Sequence, residues 1–313
     1  MAYQHGVRVQ ERATSIVAPI TGTAGLQVVF GTAPINMADD PYNVTNTPVI
    51  AYNWDEAVSK LGYSEEKDDD GHYLYTLCAS MYASFKLVNV APVIFVNVLD
   101  PNKHKKENVE ATYPVESMEA VIPITGILPN TVQVKTETDD TVLEAETDYV
   151  LSFNDDGNLV VTLVAGGRGA EATGLKVSST SIDPTVVEAD DIIGASAGSA
   201  ESGLEVLRQV YPKFGMTPGL ILAPGWSHIP DVGIVLAAKC QEINGYFSCE
   251  GFVDIDSTPS GCTAYSDVKT TKESAGCTNQ HIMALALRGF RLHQVLVQRR
   301  HGGTDRLPGR EQR

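Results

Sequence analysis

A chain of 313 residues, 43% apolar and 20% charged, is long enough for two or more domains with cores of their own and is not disordered in composition. Its net charge of −16 argues against nucleic acid as a direct partner, and no apolar run approaches the ~20 residues that span a bilayer. Five cysteines (Cys78, Cys240, Cys249, Cys262 and Cys277) fit neither a zinc knuckle nor a disulfide scaffold, so reduced thiols are expected.

The opening, from Tyr3 to Arg12, alternates polar residues with Val7 and Val9, the period-two pattern of an extended strand. No turn chemistry folds it into a hairpin with the next run, and it lacks the apolar core and cleavage site of a signal peptide. A strand without a local partner finds its ladder hydrogen bonds on another chain, or else frays or forms a sheet edge. Residues 1–22 are therefore expected to be an extended N-terminal assembly arm.

Residues 23–102 read as the first part of an α/β core. The run 26–31 is an apolar strand, and 32–47 is a turn-rich connection. Residues 53–62 form a short helix with Asn53 as N-cap, Asp55 and Glu56 in the first turn, and Gly62 at the end. A helical pattern over 72–88 places Leu74, Leu77, Cys78, Met81 and Phe85 on one face, and 91–99 is a buried strand.

Helical periodicity then disappears. Residues 103–187 carry short alternating runs and a clear hairpin, 149–153 and 159–163 around the turn 154–158. This predicts a small all-β domain inserted into the α/β core, with polar linkers at 103–106 and 178–190. The α/β pattern returns over 188–285: a helix at 201–211, a strand at 219–223, the loop 224–230, a helix at 231–243 with Val232, Val235, Leu236 and Cys240 inward, and a strand at 246–255. The order favours a mainly parallel or mixed sheet with covering helices.

Few residues invite chemistry. Asp68-Asp69-Asp70-Gly71 and Asn154-Asp155-Asp156-Gly157 lack the spacing and terminal glutamate of a calcium loop and read as turns. Gly22–Gly25 and Gly166–Gly169 are too short to cradle a phosphate. Ser227-His228 beside Asp231 lacks a nucleophile elbow, and Asp231 reads as a first-turn acid of a helix. Cys249 falls in a strand pattern and reads as core. The seven histidines offer neither an i,i+4 pair nor a metalloprotease signature, so no catalytic residue, cofactor or metal is expected.

Residue usage breaks near the end. Residues 1–287 carry 16 Lys/Arg and 37 Asp/Glu, a net of −21; residues 288–313 carry seven Arg, no Lys and two acids, a net of +5. Two readings follow: a basic tail for an acidic surface, or a slipped reading frame near Leu285 that leaves 286–313 an aberrant basic tail. The abrupt change from Lys to Arg and the lack of clear periodicity favour the second.

The stretch His5-Gly6-Val7-Arg8-Val9-Gln10-Glu11, the strand 26–31 leading into Thr32-Ala33-Pro34, the strand and loop Leu220-Ile221-Leu222-Ala223-Pro224-Gly225-Trp226, and Lys272-Glu273-Ser274-Ala275-Gly276-Cys277 together resemble the contractile-tail sheath proteins of myophages and of phage-derived or prophage tail-like particles. The resemblance covers about residues 1–285. It implies a structural subunit, not an enzyme, that self-assembles into stacked rings around an inner tail tube, held by exchanged terminal strands, and contracts to drive the tube into a target cell. By position, Gly6, Val7, Arg8, Val9 and Glu11 become inter-subunit arm residues, with Val7 and Val9 on one side of the shared sheet. Expected partners are neighbouring copies and a tube protein, without nucleic acid or membrane insertion. The expected location is a virion tail, after synthesis in a bacterial cytoplasm. Members usually continue well past 285 residues, so impaired polymerisation is expected of this chain. The competing readings are another self-assembling or adhesive tail or surface protein, and an α/β hydrolase-like enzyme using loop 224–230.

Overall fold

The computed structural model describes residues 25–285 apart from 69–70, 155, 198–199, 257–260, 263 and 277. The expected arm, including Gly6, Val7, Arg8, Val9 and Glu11, and the tail 286–313 lie outside the described residues. The described part is mixed α/β.

The core begins with β1 (Gln27–Gly31), an apolar strand buried almost throughout. A short 3₁₀ turn, Ile35–Met37, leads to β2 (Pro48–Ala51), an antiparallel edge strand that the sequence reading missed. Helix α1 (Trp54–Leu61) starts where expected: the Asn53 side chain accepts a 2.9 Å hydrogen bond from the Glu56 N–H, satisfying one orphan donor of the first turn. Gly62 ends it at φ 72°, and a Cβ there would lie 2.2 Å from the Pro34 carbonyl oxygen, so the close approach also demands glycine.

The helix expected over 72–88 is shorter and changes pitch. Tyr73 instead pairs in a bridge with Lys67, α2 spans Thr76–Met81, and the chain widens into a π-helical run over Tyr82–Val88 that Asn89 closes in the left-handed region. Strand β3 (Val93–Asn97) follows, every residue buried.

The described residues of 105–182 build no helix beyond a single 3₁₀ turn. Strands β4 (Lys105–Pro114), β5 (Glu119–Ile122), β6 (Gln133–Thr136), β7 (Tyr149–Phe153), β8 (Leu159–Leu163) and β9 (Gly174–Ile182) form two antiparallel three-stranded sheets, ordered β4-β9-β6 and β5-β8-β7. The hairpin β7–β8 closes in the expected register, Phe153 opposite Leu159, with the Gly157 N–H on the Asn154 carbonyl. Inward residues of both sheets, among them Ile122, Val134, Leu159, Val161, Leu175 and Val177, make an apolar cluster separate from that of the α/β part. The stretches read as polar linkers are partly strand, because Lys105 pairs with Ile182 where the two ends of this β segment meet. Strand β4 is solvated on most positions and carries Lys105, Lys106, Glu107, Glu110 and Pro114, charges and a proline that discourage edge pairing.

The chain returns through α3 (Ala189–Ile193), a short β10 (Ser196–Ala197) and β11 (Ala200–Glu201) ribbon, a 3₁₀ run over Gly203–Gln209 and α4 (Val210–Phe214). The single helix expected at 201–211 is thus mainly 3₁₀, entered at Gly203 with φ 55°. Then come β12 (Leu220–Leu222), α5 (Pro230–Lys239), β13 (Glu250–Asp254), α6 (Val268–Ser274) and β14 (Ile282–Leu285). The main sheet runs β14-β13-β12-β1-β3-β2, parallel except for β2.

Alternation assigns the sheet's two faces. Val28, Ile221, Gly251, Val253 and Ile282 share one face and are all buried; a Cβ on Gly251 would strike Leu236 and Cys240 in and just after α5, which places that helix there. The opposite face begins under α2, whose Thr76 and Leu77 crowd Gly31. Farther along the same face, Leu222 and Phe252 are only half-buried, and Met283 is 55% exposed. One face of the β12–β13–β14 half is therefore sealed and the other is open among the described residues.

Candidate functional site

The loop 224–230 puts Ser227, His228 and Asp231 close in sequence, but Ser227 is not set up as a nucleophile. Its side chain is buried, its Oγ donates to Asp254 Oδ2 at 3.1 Å, and the same oxygen accepts from the Asp254 N–H at 3.0 Å. This reciprocal pair pins the loop to the end of β13. Asp231 stands in the first turn of α5 behind Pro230, as the sequence suggested, where a carboxylate suits the positive end of the helix.

Cys78 is fully buried, which pushes its thiol up to about 12. Cys240 is raised by its hydrogen bond with Cys249 and by burial, so neither provides a ready thiolate. No group of three or more His, Cys, Asp or Glu side chains able to hold a metal occurs among the described residues.

The β segment is tied to the core by side chains that sequence reading passed over. His104, only 2% exposed, accepts the Asp100 N–H at Nδ1 (2.9 Å), which leaves Nε2–H to face Asp191 Oδ2 at 3.2 Å. Lys103 holds the other Asp191 oxygen. Burial pushes the Asp191 carboxyl up, but the Glu188 N–H, Lys103 and His104 together hold it below its ordinary range. The backbone adds a bond from the Asp183 N–H to the His104 carbonyl. Exit and return of the β segment are thus fastened side by side to α3. Inside the segment, Asp148 accepts the backbone N–H of Glu144 and of Arg168 and pairs with the Arg168 guanidinium at 2.8 Å; those donors, in that order, hold its carboxyl at about 2. The Gly166–Gly169 loop, as expected a loop, delivers that arginine, and a Cβ on Gly167 would press on Asp148.

A groove with mainly apolar walls lies on the open sheet face. Its cavity of about 260 Å³ lies between the π-helical run, with Ser84 and Val88, and the strand positions Val29, Leu220, Leu222 and Phe252. Apolar walls dominate, with Asp254 and Ser227 at one end. Such a surface can hold an apolar segment; it presents no cluster of reactive groups. No described helix is long and apolar enough to cross a membrane.

The described residues thus form a mixed α/β core fastened at two adjacent crossings to a β segment. No protein-family model matches the chain. It is similar to the tail sheath protein of Burkholderia phage BcepMu, 25% identical over 247 residues that make up 77% of this chain and 47% of that relative. The chain spans about half the length of that relative.

Proposed function

We propose that this chain is a structural subunit of a contractile phage-type tail sheath, joining neighbouring copies around an inner tail tube in a virion tail or prophage tail-like particle. The observation that carries the reading is the similarity to a phage tail sheath protein along most of the chain. The acidic composition and the pinned Ser227 are consistent with it. In this reading residues 103–187 are an inserted all-β domain and residues 1–22 an exchanged arm, with Gly6, Val7, Arg8, Val9 and Glu11 in the inter-subunit ladder. The shift to Arg-rich sequence after Leu285 makes association incomplete, giving rings or short stacks in place of long tubes.

Sedimentation velocity on three proteins tests the role. The intact chain and a Ser227→Ala/His228→Ala variant associate alike as concentration rises, whereas a chain lacking residues 1–20 stays monomeric. Association that survives the deletion but not the double substitution would overturn the reading and favour the loop-centred alternative.

A further inference from the structure

Two of the cysteines meet where α5 ends and β13 begins. Cys240 is the C-cap of α5, and Cys249 immediately precedes β13. Both are buried, and their thiols hydrogen-bond to each other. The Cys249 N–H donates to the Cys240 carbonyl at 2.9 Å. With standard backbone dimensions that bond holds the two Cα atoms within about 7 Å, the reach of a disulfide. The side chains also point the same way. A Cβ on Gly251, two residues beyond Cys249, would lie 2.9 Å from Cys240 Sγ, so both sulfurs stand on the α5 side of the sheet.

Two further cysteines are placed differently. Cys78 is sealed in the core cluster, and Cys262 donates its thiol to the Ala264 carbonyl at 3.3 Å. Between Cys240 and Cys249 the chain makes a largely exposed turn, in which Glu242, Asn244 and Gly245 hold positive φ and Tyr246 is 88% exposed. The turn is tied to the segment before β12 by the Asn244 amide on the Arg208 carbonyl (3.0 Å) and by Phe247 against Tyr211, ring centroids 5.0 Å apart. Such a turn can open locally while the sheet stays folded, which admits a small oxidant to thiols otherwise buried.

We propose that Cys240 and Cys249 are a redox pair, a dithiol in a thiol-rich compartment and a disulfide where low-molecular-weight disulfides prevail, and that the bridge fastens the end of α5 to β13. Cys249, the less deeply buried, loses its proton and attacks one sulfur of a disulfide such as oxidised glutathione, releasing one glutathione thiolate. Cys240 then loses its proton and attacks the Cys249 sulfur of the mixed disulfide, which releases the second. The protein gives up two electrons and two protons, and the small disulfide is reduced to two thiols. The pair needs no neighbouring copy, so it is independent of the assembly reading.

The test incubates the full chain with excess oxidised glutathione at about pH 8 under native conditions, where thiolate begins to form. Remaining thiols are then blocked with iodoacetamide in denaturant and the peptides mapped without reduction. Expected is a peptide pair joined through Cys240 and Cys249, about 2 Da lighter than the two reduced peptides. The melting midpoint should rise by about 3–5 °C, and dithiothreitol should reverse the rise. A Cys240→Ala variant should instead stop at a stable glutathione adduct on Cys249. Full alkylation of Cys240 and Cys249, a bridge to any other cysteine, a lasting glutathione adduct on Cys249 of the parent chain, or a bridge with no rise in midpoint would overturn the proposal.

Discussion

The α/β core and the β segment are held together by different physics. In the core, runs such as Val28–Phe30 and Val93–Val96 are buried at every position, because parallel strands between helices have little solvent side. In the β segment burial alternates, most plainly along β8, and the outer positions mix polar residues with exposed valines such as Val121 and Val150. Among the described residues its own cluster has twelve buried apolar residues, against thirty-eight in the cluster centred on the core, two of which, Leu128 and Ile182, come from the β segment, so a larger share of its order falls to turns and ion pairs.

The comparison breaks most visibly in the core. Phe95→Ala removes a fully buried aromatic from the central sheet and is expected to cost about 3–5 kcal/mol by urea denaturation. A loss below about 1 kcal/mol would mean that the sheet is not the dominant unit. Leu159→Ala should cost about 3 kcal/mol within the β segment, because its small cluster leaves few neighbours to fill the void. Hydrogen exchange should quicken over residues 105–182 while β1 and β3 keep their protection; faster exchange in both would show one cooperative unit.

The joint comes next. His104→Ala strips the half-buried Asp191 of a donor and leaves the Asp100 N–H without its acceptor, which should cost about 1–3 kcal/mol. Exchange should rise first at the amides of Asp183 and Asp191, and an effect spread evenly over the chain would argue against a local fastening. The mildest effect at neutral pH concerns Asp148. A carboxyl held at about 2 contributes stability that is fully present above the ordinary carboxylate value of about 4 and is lost as pH falls toward 2. Asp148→Asn should therefore flatten the acid unfolding of the β segment between those values, as followed by circular dichroism. An unaltered acid limb would assign that loss to other carboxylates.

Much of this fold is written in local pattern. Strands β1 and β3 announce themselves as apolar runs, α1 through Asn53 and Gly62, and the hairpin through Asn154–Gly157, because each depends on residues close in sequence. Strand β2 was missed: it is four residues long, begins at Pro48, and exists only because β3 offers an edge. The strand expected over 246–255 starts only at Glu250. Before it, Glu242, Asn244 and Gly245 adopt positive φ and the bridge between Ile243 and Phe247 folds the chain locally, leaving Tyr246 88% exposed. The His104–Asp191 tie and the open groove were not legible. Both join residues far apart in sequence, and strand alternation alone does not tell which face a helix will cover.

Negative-stain electron microscopy of the purified chain at high concentration, with and without residues 1–20, tests the assembly reading most directly. The account predicts rings or short stacks in the intact chain that vanish on deletion. Particles that look the same in both samples, or long regular tubes that persist without residues 1–20, would contradict it.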